Sequence, residues 1–234
     1  MELGEPVGEG WQIYRRFWKH LIPIALVIYL VISLIALALA SSGSRLSAFA
    51  ALIVSVAGVF LLQASLVEAV ADVRDGRVDL SLTETIGRAW PRLGSVVVGG
   101  IAAAIGIVIG LVLIIVPGLF LLTIWSLIVP VIVLEGRSAF DSFGRSRELV
   151  RGHGWTVFGV IVVTFAINVV VSIVLGILFA GFSTVIGRYI ANVISNTLIA
   201  PFVAAAWTSM YFRLRELKEP TTAQIPAGAA YREE

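Results

Sequence analysis

The chain contains no cysteine. Disulfides, thiol nucleophiles and thiolate metal sites are thereby excluded. It has only two histidines, His20 and His153, and neither has a second ligand at metal-binding spacing. No His-Glu-x-x-His pair, Gly-rich phosphate loop or Gly-x-Ser-x-Gly turn occurs. These absences argue against an enzyme, and no cofactor or metal is expected. Charge is scarce as well. Asp, Glu, Lys and Arg make up 14% of the residues, against about 25% in a soluble domain.

The missing charge is concentrated in five windows, 20–44, 46–67, 93–134, 152–187 and 189–212, that hold no Asp, Glu, Lys or Arg at all. A bilayer core of ~30 Å is crossed by roughly 20 apolar residues in a helix. Four windows hold one span each. The 42-residue window 93–134 holds two, and Pro117-Gly118 near its middle marks a turn between them. Apolar residues make up 59% of the chain and the mean hydropathy is +0.98. A soluble helical core would need charged faces between its apolar stripes, and these windows have none.

The basic residues are asymmetric. Of seventeen Lys and Arg, all but Arg45 and Arg188 fall in the N-terminal segment, the second and fourth loops and the C-terminal segment. Lys and Arg accumulate in cytoplasmic loops, so both termini are expected in the cytoplasm. Every Asp and Glu falls on that side too. The pI of about 9.2 comes from these same loop arginines, so it gives no support for nucleic-acid binding.

A short amphipathic stretch precedes each odd-numbered span. These are Trp11–His20, Leu82–Arg92 and Ala139–Arg151. Ser81 with Glu84 forms a capping box at the second. In the third, Phe140, Phe143, Arg147 and Val150 recur at helical spacing, which suits a helix lying in the headgroup layer. The even spans echo one another. Gln63-Ala-Ser-Leu-Val-Glu68 aligns with Pro130-Val-Ile-Val-Leu-Glu135, and Pro201 takes the same place in the last hairpin. The chain therefore reads as three units of surface helix plus transmembrane hairpin.

Pro117-Gly118, Trp125, Pro130-Val-Ile-Val-Leu-Glu-Gly136, Arg145-Ser146, Leu149-Val150, Gly152 and Trp155 form a pattern, joined by Pro201-Phe202 and Tyr211-Phe-Arg-Leu-Arg215. It resembles the membrane domain associated with glycerophosphoryl diester phosphodiesterases and related six-span bacterial and archaeal proteins. The resemblance implies a fold and a membrane location. It implies no substrate, because phosphodiesterase chemistry in fused relatives belongs to a separate soluble domain, which is not expected in this chain.

Several side chains are candidates for function. Glu68 and Glu135 sit where even spans meet the cytoplasmic surface. They either gate a proton or cation or pair with Arg88 and Arg145 and pin the following helix, and the pairing is favoured. Arg145, Arg147 and Arg151 either bind an anionic headgroup or phosphate or serve only as positive-inside determinants. Gln63, Asn168, Asn192 and Asn196 either line a polar path or hydrogen-bond between helices. Pro130 and Pro201 are expected to break their spans. Ala102, Gly106 and Gly110 form a small-residue ladder for close helix approach.

The expectation is one all-α, six-span integral membrane domain over residues 1–219, with spans at about 21–40, 47–68, 94–116, 118–135, 155–180 and 190–212, and a disordered cytoplasmic tail at 220–234. Its expected role is a non-catalytic scaffold or lipid-interacting accessory protein of the cell membrane. The alternative is a small transporter or channel using the polar bundle residues. Membrane lipids, anionic headgroups among them, are the expected partners. A membrane-protein partner or a second copy stays open.

Overall fold

The computed structural model describes residues 2, 4–41, 43–181 and 185–219. The tail expected to be disordered lies outside these residues. Among the described residues every regular element is helical. There are nine α-helices among them, α1 (Gly4–Ala40), α2 (Arg45–Asp72), α3 (Leu82–Ala89), α4 (Leu93–Leu113), α5 (Ile115–Ile124), α6 (Ile128–Glu135), α7 (Ala139–Val150), α8 (Gly154–Leu178) and α9 (Val185–Lys218). Single 3₁₀ turns follow α2 and α3.

Six helical segments are long and apolar enough to cross a membrane: Gly4–Leu39, Arg45–Asp75, Leu82–Leu113, Ile115–Glu135, Gly154–Leu178 and Ile190–Lys218. Much of their surface is apolar and uncovered. Val112 is 80% exposed and Ile177 70%, a burden a water-facing bundle would not carry.

The core forms three clusters. Leu21, Ile24, Leu62 and Leu66 join α1 to α2, with Ala205 of α9 packed among them. Val67, Val96, Ile128 and Ile132 join α2, α4 and α6. Leu127, Leu149, Val160 and Tyr211 join α6, α7, α8 and α9. Close backbone approach fixes two crossings. A Cβ on Gly10 would lie 2.6 Å from the Ala206 backbone, and one on Gly118 would lie 2.5 Å from the Leu111 nitrogen.

Four details differ from the sequence expectation. The stretch from Trp11 to His20 is not a separate helix. Two helical runs meet within it at a kink at Phe17 (φ −113°, ψ 19°), so its last residues belong to the helix of the first span. Pro23 follows and has no N–H to donate to the Lys19 carbonyl, so the helical hydrogen bonding is interrupted beside the kink. The turn between the third and fourth spans falls at Ile114, whose backbone is extended (φ −153°, ψ 127°), not at Pro117-Gly118. Pro117 sits instead in the first turn of α5, where a missing N–H costs nothing. Pro201 lies inside α9 without ending it. The fourth span breaks at Trp125–Leu127, ahead of Pro130, and Pro130 occupies the first turn of α6. The small-residue ladder serves packing within the chain, since Gly106 lies under Trp125 and Gly110 under Gly118.

Candidate functional site

α7 is a splint across the broken fourth span. Ser138 caps it, accepting from the Asp141 N–H at 3.2 Å. Its buried face carries Ser142, Arg145, Ser146, Leu149 and Val150. Ser146 repairs the break directly. Its Oγ donates to the Ile124 carbonyl at 2.7 Å and accepts from the Leu127 N–H at 3.2 Å. Both backbone groups would otherwise be stranded in an apolar setting. Beside it, Trp125 meets Phe143 edge-on, with ring centroids 5.0 Å apart.

Arg145 holds the end of α6. It is 8% exposed, and its guanidinium is shared among three carboxylates. Nε reaches both Glu135 oxygens at 3.0 Å, Nη1 reaches Glu148 at 3.2 Å, and Nη2 donates to Glu219. Glu135 also accepts from Arg137 Nε at 2.8 Å and from the Tyr211 hydroxyl at 3.0 Å. Glu219 accepts from Arg215 Nε at 3.1 Å. Three cations thus meet three anions. Burial works against the Arg145 charge, but the carboxylates of Glu219, Glu135 and Glu148 outweigh it and raise its pKa above the ordinary arginine value. Hydrogen bonds from Arg145 and then Arg215 hold the Glu219 carboxyl below the usual range.

A second set of ion pairs ties the chain's beginning to the same end of α9. Arg213 reaches Glu9 at 2.8 Å and Glu5 at 3.3 Å. Arg74 pairs with Glu216 and lies over the Phe212 ring, 4.1 Å from its centroid.

The candidate residues therefore separate. Glu135 pairs with Arg145, as favoured. Glu68 makes no ion pair or hydrogen bond among the described residues, and Arg92 near it donates to the Ile132 carbonyl instead, at 3.4 Å. The two α7 arginines and Arg151 at its C-terminal cap do not converge. Arg145 points into the carboxylates, while Arg147 and Arg151 are exposed and have no carboxylate within 4 Å among the described residues. Among the described residues no group of three His, Asp or Glu side chains forms a metal site.

The neutral polar residues do converge. Gln63 of α2, Ser126 at the break, Asn168 of α8 and Asn196 of α9 line one cavity of about 340 Å³, with Tyr29 and Trp207. Asn168 and Ile199 also line a second cavity of about 820 Å³ beside Trp11, Tyr14 and Phe202. Tyr29 and Val59 also line a third of about 400 Å³, which contains Asn192. Asn196 donates to Asn192 Oδ1 at 2.8 Å, linking the first to the third. Among the described residues no Asp, Glu, Lys or Arg lines any of the three.

Glu148 and Glu219 were not singled out in the sequence, and Tyr211 and Ser146 entered only as members of the pattern, with no site role. A signal existed for two of them. Tyr211, Arg215 and Glu219 recur every four residues, which places them on one helix face.

Six apolar spanning helices around such a core describe a multi-pass membrane protein. The chain belongs to the family described as a domain of unknown function, DUF7847, whose model matches residues 78–214, more than half of the chain. No curated protein and no solved structure matches it.

Proposed function

We propose that this protein is a non-catalytic, lipid-interacting scaffold or accessory protein of the cell membrane. Both termini face the cytoplasm in this reading. The spans pair as hairpins, and α3 and α7 lie at the cytoplasmic headgroup layer, with the first part of α1 in the equivalent place. The observation that carries it is the division of charge. The charged end of α9 is neutralised by its own ion pairs, no charged side chain among the described residues lines the mid-bundle cavities, and the outer surface of the spanning helices is largely apolar. What is left to recognise is lipid. The resemblance of Pro117–Trp155 to the phosphodiesterase-associated membrane domain is compatible, since that domain carries no catalytic groups. The test is purification with and without phospholipid, followed by thermal unfolding. The reading expects a lipid-free sample to melt several degrees lower and to recover on adding phospholipid. An identical melting curve in both would sink it.

A second reading is favoured by one observation, the convergence of Gln63, Ser126, Asn168 and Asn196 on one cavity. A broken span beside a polar cavity is a feature of transporters, and the absence of charge there suits a small uncharged solute. Stopped-flow light scattering of proteoliposomes in a glycerol gradient tests it. A flux above that of empty liposomes that disappears in Asn196→Leu would favour transport. No flux would leave the polar residues as packing groups.

A further inference from the structure

We propose that Arg147, Arg151 and the trough between α5 and the start of α8 form a binding site for one anionic phospholipid, with the phosphate at the arginines and an acyl chain along the trough. The proposal rests on the lipid-interacting reading and locates it. Two adjoining cavities make the site. One, of about 560 Å³, is lined by Gly144, Arg147, Glu148 and Arg151. The other, of about 620 Å³, is lined by Val116, Leu119, Trp155 and Phe158. They share Phe120, Ile124, Gly152 and Gly154, so the cationic mouth opens straight into the apolar trough.

Charge complementarity identifies the occupant. Arg145 is consumed by carboxylates, but Arg147 and Arg151 are not. The one carboxylate at the mouth among the described residues, Glu148, is already paired with Arg145 at 3.2 Å. The mouth is therefore cationic and its positive charge uncompensated. Its floor is open, since a Cβ on Gly144, Gly152 or Gly154 would meet nothing within 4 Å. A phosphate group has room to approach both guanidiniums, which suit bidentate phosphate contact.

The trough decides between a lipid and a free anion. Phe120 is 57% exposed and Trp155 88%, large apolar surfaces at the edge of the groove. A free phosphate would leave them bare. A phospholipid carries an anion and an apolar chain in one molecule and covers both. The depth fits as well. α8, 25 residues without a charge, begins at Gly154, so Arg151 stands at the boundary where headgroups lie, and basic residues there favour anionic lipid.

The experiment uses the full chain, delipidated in detergent and offered phosphatidylglycerol or phosphatidylcholine, with native mass spectrometry as the readout. The wild type is expected to retain one phosphatidylglycerol and little phosphatidylcholine. Arg147→Gln with Arg151→Gln should weaken retention by about tenfold or more. Arg77→Gln with Arg88→Gln removes the same charge elsewhere and should change nothing. Thr156→Trp fills the trough without altering charge and should also lose the lipid. Thermal unfolding of each variant checks that it is folded.

Equal loss in both arginine pairs would overturn the site in favour of general surface charge. So would undiminished retention in Arg147→Gln with Arg151→Gln. Displacement of the lipid by millimolar inorganic phosphate would show a simple anion site and overturn the role of the trough. A wild type that retains no phospholipid would overturn the lipid-interacting reading itself.

Discussion

Arg145 and Ser146 are adjacent residues with separate tasks, and each can be tested alone. Removing one partner of a buried ion pair costs about 3–5 kcal/mol. Glu148 and Glu219 remain reachable by water, so Arg145→Ala should fall at the lower end, about 3 kcal/mol, measured by thermal or denaturant unfolding of the purified protein. Arg145→Lys should lie between, because it keeps the charge but loses the fork that serves three carboxylates. Ser146→Ala leaves the Leu127 N–H and the Ile124 carbonyl without partners at the break and should cost about 1–3 kcal/mol.

The depressed pKa of Glu219 gives a pH prediction. A carboxyl whose folded-state pKa lies below its unfolded value of about 4.3 stabilises the fold fully above that value. The contribution is lost as pH falls through the lower, folded-state pKa. Glu219→Gln should therefore be less stable than wild type at neutral pH, and the difference should shrink on acidification below about pH 4. A difference that holds or grows towards low pH would contradict the Arg145–Glu219 pair.

At the scale of elements, the α4–α5 turn and the broken fourth span decide how α7 is seated. Gly118 lies against the Leu111 backbone with no room for a side chain. Gly118→Val should push α4 and α5 apart and cost about 1–3 kcal/mol or more, seen as lower melting and poorer yield. Gly144→Ala is the matching control, since a Cβ there meets open space and alanine favours the helix by roughly 0.5–1 kcal/mol over glycine. The Pro-Gly pair suggested the turn's neighbourhood, but the turn falls three residues earlier. Proline is as well suited to a helix's first turn as to a reverse turn, and local sequence does not separate the two. The break at Trp125–Leu127 had one local marker, Pro130, which lies three residues past it and has no N–H for the Ser126 carbonyl. It is stable only because Ser146, about twenty residues later, satisfies it.

Across the whole molecule, charge is collected at one end of α9, where Glu5, Glu9 and Arg74 meet Arg213 and Glu216. That arrangement yields a topology prediction which the cysteine-free sequence makes simple to test. Single cysteines at Asp79 and Asp141 should resist a membrane-impermeant maleimide in intact cells and react after permeabilisation. Cysteines at Ser41 and Gly181 should react in intact cells. The opposite pattern would reverse the proposed orientation.

The sequence alone determined that this protein is helical, with six segments long and apolar enough to cross a membrane, because hydrocarbon admits only long apolar segments with their backbone hydrogen bonds satisfied internally. It also determined which loops carry charge, and the capping box at Ser81 and Glu84 follows from four consecutive residues. Tertiary structure decided the rest. Arg145 became a structural anchor while Arg147, on the same short helix, and Arg151, which caps it, remained exposed. Gln63, Asn168 and Asn196 came to line one cavity although they lie on three different spans. Glu68 and Glu135, alike in sequence, parted company because Arg145 and Tyr211 donate to Glu135, while Arg92, near Glu68, donates to the Ile132 carbonyl instead. Each outcome depends on which helix lies beside which, and that is set by the summed packing of apolar faces rather than by any local pattern.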